Sequence, residues 1–276
     1  MTSLHERYLK LLGFDKPPSG LDGLRLLVRR HLCRVPFENV SKLLLFGREG
    51  KGRRISLVEF LDGIENHDLG GTCYSSNPWF ADLLRGLGYQ ADLLGADMTN
   101  PNVHTCIRVR VAGKAYHVDV GFAAPFREPI PLDGVPFEIA EGAHRYIFDG
   151  SEMAFYSEGK RGEGYVAHDP PRTMEFFEPI IRDSFRPDAY FLNTFRVARF
   201  FDDYSVSLLG TTLWVHRDGA TRETELHSVG DIEAAVHGLM KLPRCPVAEA
   251  IGVLRRHLGQ SEWPESVAQD GPVAES

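Results

Sequence analysis

Residues 104–122, HTCIRVRVAGKAYHVDVGF, alternate apolar and polar side chains on either side of an Ala-Gly pair. Such alternation marks two antiparallel strands joined by a tight turn, and it limits how they pair. Ile107, Val109 and Val111 share one face of the first strand, and Tyr116, Val118 and Val120 share one face of the second. Joining them into one apolar layer requires paired residue numbers that sum to an odd value, because a slip of one residue turns every side chain to the other face. The opposite layer then holds His104 and Cys106 facing His117 and Asp119. His104 comes directly across from Asp119 or one diagonal away, within reach of an imidazole–carboxylate hydrogen bond. A base held in one tautomer by an acid is two thirds of a nucleophilic triad. Two other readings stay open at this point: a half-exposed strand face that merely carries polar residues, and a zinc site of mixed N, S and O donors.

A nucleophile for that pair stands upstream, in HDLGGTCYSSNPWF at 67–80. Phe80, Leu83, Leu84 and Leu87 form a helical stripe that Gly88 can stop. Pro78 tolerates only an early place in that helix, so the helix starts between about Cys73 and Asn77. Cys73 then faces the positive end of a helix dipole, where a thiolate is stabilised. Gly70 and Gly71 let the backbone bend sharply and a substrate carbonyl approach, and free N–H groups nearby suit an oxyanion. The alternative is a small buried thiol at a helix start. The other cysteines, Cys33, Cys106 and Cys245, stand far apart without a C-x-x-C pair, which fits neither a disulfide framework nor a zinc knuckle.

Around these motifs the chain divides into three textures. The first ninety residues read as helices, with Leu21, Leu24, Val28 and Leu32 striping one and Leu57, Phe60, Leu61 and Ile64 another. From about residue 90 to about 200 the pattern is turn-rich and strand-like, suggesting a small barrel or sandwich. A hairpin around Asp218-Gly219 and two helices, in DIEAAVHGLMKL and VAEAIGVLRRHL, close the chain, and a tail without periodicity begins near 259. The expected domains are 1–89, 90–203 and 204–276.

The chain has 276 residues, 43% hydrophobic and 25% charged, which suits a soluble globular protein with more than one core. With 31 basic against 38 acidic residues, net −7, small molecules are the expected partners and non-specific nucleic-acid binding is not. No stretch reaches the roughly 18 apolar residues of a membrane span, and MTSLHERYLKLLGF lacks a cleavage site, so no membrane partner and a cytoplasmic location are expected.

Four stretches in order, RVPFENV at 34–40, GGTCYSSN at 70–77, HTCIRVRV at 104–111 and YHVDVGF at 116–122, resemble the arylamine N-acetyltransferases, and weaker similarity runs on through FFEP near 176 to about residue 240. The resemblance implies an α+β fold made of a helical bundle lobe, a β-barrel lobe and an α/β lid, with a papain-like Cys-His-Asp arrangement. It implies Cys73 as acetyl acceptor, His104 as the base that forms the thiolate and Asp119 as its orienting acid. It implies ping-pong transfer from acetyl-CoA, a cosubstrate and not a permanent cofactor, to an arylamine or hydrazine, with no metal. Phe37 and Phe122 would line the acceptor pocket, and CoA would lie in a cleft between barrel and lid.

Two positions depart from the family pattern. Leu69 stands where an arginine usually precedes the Gly-Gly pair, and Ser75 where an acid or amide follows the cysteine, whereas Asn77 keeps the pattern. The arginine normally braces the glutamate of the PFEN motif, so Glu38 needs Arg34, Arg53 or Arg54 in its place, or more exposure to water. Two rival functions use the same fold: an amide synthase that closes or releases an acyl chain from a carrier-protein thioester, and a non-catalytic binding protein.

Overall fold

The computed structural model describes residues 1–261, 263 and 264. The tail expected from about 259 therefore lies mostly outside the described residues.

Five helices come first: α1 (Ser3–Leu11), α2 (Gly20–Arg34), α3 (Val40–Glu49), α4 (Leu57–His67) and α5 (Cys73–Gly86), with a short strand β1 (Phe37–Glu38) between α2 and α3. Leu57, Phe60, Leu61 and Ile64 of α4 and Leu24, Leu27 and Val28 of α2 bury their stripes in one core with Phe80, Leu83 and Leu84 of α5. Local chemistry sets the ends. Ser56 and Glu59 form a reciprocal capping box at the head of α4. Gly88, at φ +89°, closes α5 while Tyr89 N–H bonds back to Leu84 O. Pro78 sits six residues into α5, one and a half turns deep and not in the first turn; it withholds one N–H there, and the helix continues because both of its faces are packed.

The middle of the chain forms an antiparallel sheet of nine strands: β2 (Gln90–Asp97), β3 (His104–Val111), β4 (Lys114–Val118), β5 (Ile130–Pro131), β6 (Phe137–Glu141), β7 (His144–Phe148), β8 (Glu152–Ser157), β9 (Lys160–Arg161) and β10 (Tyr165–His168). The strand order is β5-β4-β3-β2-β10-β8-β7-β6, with β9 on β8, and the sheet curls into a nearly closed barrel. Ala112 and Gly113, at φ +50° and +77°, make the tight β3–β4 turn, whose twist matches the strands it joins. Ile107 pairs with Val118 and Arg108 with His117, the odd-sum register. Ile107, Val109, Val118 and Val120 pack on the helical core, while Cys106, Phe148 and Tyr165 fill the barrel. Both faces of the hairpin are thus buried at the end that carries His104 and His117, where the polar layer is an interior one, while Arg110 and Lys114 near the turn are exposed.

Two segments read as strand-like have a different place. Residues Met174–Asp183 form a helix, α6, whose Met174, Phe177 and Ile181 cover the helical core. Strand β11 (Arg196–Phe200) pairs with β1 and with β12 (Tyr204–Leu209), in a five-stranded sheet completed by β13 (Thr212–Arg217) and β14 (Ala220–Glu225). The boundary drawn at 203/204 falls between two hydrogen-bonded strands, so the change to the third lobe comes before Arg196. Helices α7 (Val229–Ala234), continued by a π-helical turn to Leu239, and α8 (Val247–Leu258) pack on this sheet together with α3.

Candidate active site

Cys73 is the first residue of α5, after Thr72 in extended backbone. The chain reaches it through a turn fastened on both sides. Asp68, at φ +52°, accepts from Arg244 N–H at 2.8 Å, tying the turn to the third lobe. Ser76 Oγ then donates to Gly70 O at 3.1 Å. Thr105 Oγ1 donates to Cys73 O at 2.9 Å, pinning the helix head to β3.

His104 begins β3 and Asp119 follows β4. Continuing the β3–β4 register sets Asp119 opposite Cys106, so His104 lies one diagonal away. Their side chains meet: His104 Nε2 donates to Asp119 Oδ2 at 2.7 Å. The other ring nitrogen makes no bond to Asp119, and Cys73, close enough for its charge to act on the imidazole, has its Sγ 4.0 Å from Val103 O. All three are buried, Cys73 at 7% exposure, His104 at 2% and Asp119 at 1%.

Burial alone disfavours a charged imidazole, but the Asp119 carboxylate and the Cys73 sulfur overcome it and push His104 up to about 10. Burial likewise works against the Asp119 charge, and the His104 imidazolium outweighs it, holding the carboxyl below its usual range. Asp119 Oδ1 accepts from Asn77 Nδ2 at 2.8 Å and Gly121 N–H at 2.9 Å, so its remaining lone pairs are satisfied. A thiol, a neutral imidazole and a carboxylate in a row can form a thiolate–imidazolium pair by moving the thiol proton to the ring, the activated form of a cysteine nucleophile.

Supporting groups surround the three; Asn77 and His117 stand out in the sequence motifs, Gly121 and Tyr165 do not. Asn77, one helical turn after Cys73, bridges Asp119, Thr105 O and Val120 N–H; the i, i+4 spacing on α5 was its available signal. Gly121 lies so close that a Cβ there would stand 2.7 Å from Cys73 Cα and 2.7 Å from Asn77 Nδ2. His117 Nε2 and the Tyr165 hydroxyl are 2.6 Å apart, and that hydroxyl also touches the Asp119 carboxylate. Burial and the neighbouring His104 charge keep His117 neutral, down at about 4, against the pull of Asp119. Tyr165 stands 48 residues beyond His117 in the chain, so no local pattern links them.

Phe122 is brought to the triad, with its ring 5.5 Å from His104 and 5.4 Å from Tyr165. Phe37 is not; it packs in a separate cluster with Leu32, Ala198 and Phe200, edge-on to Phe191 at 5.9 Å. Glu38 corrects an expectation. It is fully buried and no arginine replaces the missing brace: Arg53 bonds Glu49 and Glu59, Arg54 lies over Trp79, and Arg34 bonds Leu11 O. Its carboxylate instead accepts from the N–H groups of Gly70 at 3.0 Å, Gly71 at 2.5 Å and Ser41 at 2.7 Å. Burial raises its pKa, and the three amides only partly offset that. Among the described residues no group of three or more His, Cys, Asp or Glu side chains is arranged to hold a metal ion.

The fold and sequence can be set beside known proteins. The arylamine N-acetyltransferase of Nocardia farcinica superimposes with a TM-score of 0.76 at 24% identity, over 92% of this chain and 93% of its own. The Mycobacterium marinum enzyme in complex with CoA gives a TM-score of 0.75 at 22% identity, over 92% and 97%. At such identities the likeness speaks for the fold. Among curated sequences, arylamine N-acetyltransferase pineal gland isozyme NAT-10 of Gallus gallus is 29% identical over 157 residues, 53% of this chain and 52% of that protein. Arylamine N-acetyltransferase 2 of Mus musculus is 27% identical over 138 residues, 46% of each. The chain thus spans about half the length of the curated relatives it matches. The sequence model of the N-acetyltransferase family matches residues 20–243, from α2 to just before α8. On that span the chain belongs to the arylamine N-acetyltransferase family.

Proposed function

We propose that this protein moves an acetyl group from acetyl-CoA to an arylamine or hydrazine nitrogen through a thioester on Cys73. The observation that carries the reading is the buried row Cys73, His104, Asp119, with the imidazole held at 2.7 Å by the carboxylate and pushed up to about 10. At neutral pH His104 is then an imidazolium, and Cys73 stands beside it at the positive end of α5. The thiolate attacks the acetyl carbonyl, and CoA leaves as a thiolate that takes the His104 proton. The amine then attacks the thioester, neutral His104 accepts the proton released from nitrogen, and Cys73 leaves as thiolate, which restores the ion pair. Exchanging one thioester for another is nearly isoenergetic, so one intermediate serves both halves. The family membership and the relative described with CoA support a CoA thioester as donor. Phe122, beside His104, is in place to contact an acceptor ring; Phe37 would do so from its own cluster on the third-lobe side.

The test is to incubate the protein with acetyl-CoA and no acceptor and to look by mass spectrometry for an acetyl group on the Cys73 peptide. An adduct that disappears when arylamine is added, with matching CoA release, is expected. A Cys73→Ser variant that kept full activity would overturn the mechanism.

A further inference from the structure

A small cavity of mixed polar and apolar lining lies near the nucleophile, between α3, the head of α5 and the end of α6. Its volume is about 50 Å³, and none of the residues lining it is an acid. Three cations line it, and they differ in what already holds them. Arg53 is fully engaged by Glu49 and Glu59. Arg54 lies 4.6 Å over the Trp79 ring and reaches Glu175 at 4.0 Å, a carboxylate whose side chain is 73% exposed. Lys42 has no carboxylate partner among the described residues; its ammonium donates to Ser184 Oγ at 2.7 Å and sits 4.2 Å over the Phe185 ring. Lys42 is half-buried without a counter-charge, which is costly, and burial lowers it to about 7, opposed by the Cys73 charge. Hydroxyl groups at Ser41, Thr72 and Ser75 also line it, beside the apolar Leu45, Ile55 and Ile181.

We propose that this cavity binds one small oxyanion, a phosphate or carboxylate group, held by Lys42 and Arg54 with the surrounding hydroxyls as further donors. Charge-assisted hydrogen bonds to an anion would supply the missing counter-charge. The ligand is limited by size: an apolar cavity of roughly 150 Å³ takes benzene, and a third of that volume admits a group of a few heavy atoms but no aromatic ring or nucleoside. The proposal does not depend on which acyl donor the protein uses. It does connect to Cys73, because the anion and the thiolate draw on the same Lys42 charge. An anion held at Lys42 therefore screens that charge from the Cys73 sulfur.

The test is thermal unfolding of the whole protein in inorganic phosphate at constant ionic strength, with acetate as the carboxylate arm. A saturable rise in Tm of about 3–5 °C at ten times the apparent Kd is expected. Lys42→Met should abolish the rise while melting cooperatively without phosphate, and Lys42→Arg should retain it. Saturating phosphate should also slow iodoacetamide alkylation of Cys73 at least twofold in the wild type and leave the Lys42→Met rate unchanged. A rise that fails to saturate, or is equal in Lys42→Met, would overturn the site. CoA that competes with phosphate for Lys42 would assign the oxyanion to a cosubstrate phosphate, and no competition to a free anion; both keep the site. Cys73→Ala, which removes any acetyl-enzyme, should leave the phosphate shift intact, so the two proposals fail separately.

Discussion

Two buried carboxylates bond to the Cys73 helix or to the turn before it, and they are stabilised in opposite ways. Asp119, after β4, faces a cation: His104 at 2.7 Å holds its pKa below the usual range. Glu38, in β1, faces only backbone dipoles: three N–H groups receive it, and its pKa is raised. Amides satisfy the hydrogen bonds of an anion without repaying all of its desolvation, whereas a full positive charge can reverse the balance. Asp119 is therefore suited to governing charge at the thiol. Glu38 is suited to holding the Gly70-Gly71 turn in shape.

That contrast can be broken first at Asp119. Asp119→Ala should cost about 10³–10⁴-fold in the rate of Cys73 acetylation, measured as rapid CoA release. It should also destabilise the protein by about 3–5 kcal/mol in denaturant unfolding, since it leaves an unpaired buried imidazole. Gly121→Ala comes next. Its Cβ would press on Cys73 Cα and on Asn77, so about 1–3 kcal/mol of stability and about 10²-fold in rate should be lost.

The pH profile sharpens the comparison. His104 rises from 6.5 to about 10 on folding, so its contribution to stability is complete below pH 6.5 and is lost as pH rises toward 10. Unfolding midpoints measured across that window should fall with pH in the wild type and fall less steeply in Asp119→Asn. Glu38 also has a raised pKa, so its contribution is complete below its unfolded value of 4.5 and is lost as the group ionises above that. Glu38→Gln should flatten that part of the curve, and should cost about 1–3 kcal/mol because an amide nitrogen then meets donors. The smallest effect is expected for Tyr165→Phe. It removes the hydroxyl shared by His117 and Asp119 and should cost about 1 kcal/mol of stability. A Tyr165→Phe rate loss as large as that of Asp119→Ala would show that the tyrosine does more than support the carboxylate.

Much of this arrangement is legible along the chain. Alternation in 104–122 restricts the hairpin register because only one parity buries Ile107, Val109, Tyr116 and Val118 together. The stripes of α2, α4 and α5 follow from helical spacing, and Gly88 from its positive φ. Met174–Asp183 is ambiguous in sequence, because Phe176, Phe177 and Pro179 suit strands and turns as well as a helix. Arg196–Phe200 is a strand, as its texture suggests, but its neighbours β1 and β12 belong to the third lobe, and local pattern says nothing about partners so far away.

Local sequence, through side-chain periodicity and turn chemistry, established the elements, the hairpin parity and the place of Cys73 at a helix head. Those depend on residues a few positions apart, whose spacing is set by backbone geometry. Packing decided the rest: that the polar face of the hairpin looks into a barrel, that Tyr165 closes over His117 and Asp119, and that amides replace an arginine at Glu38. These contacts join residues 32 and more positions apart, and each rests on a balance of desolvation against partners that exists only once the chain has closed around them.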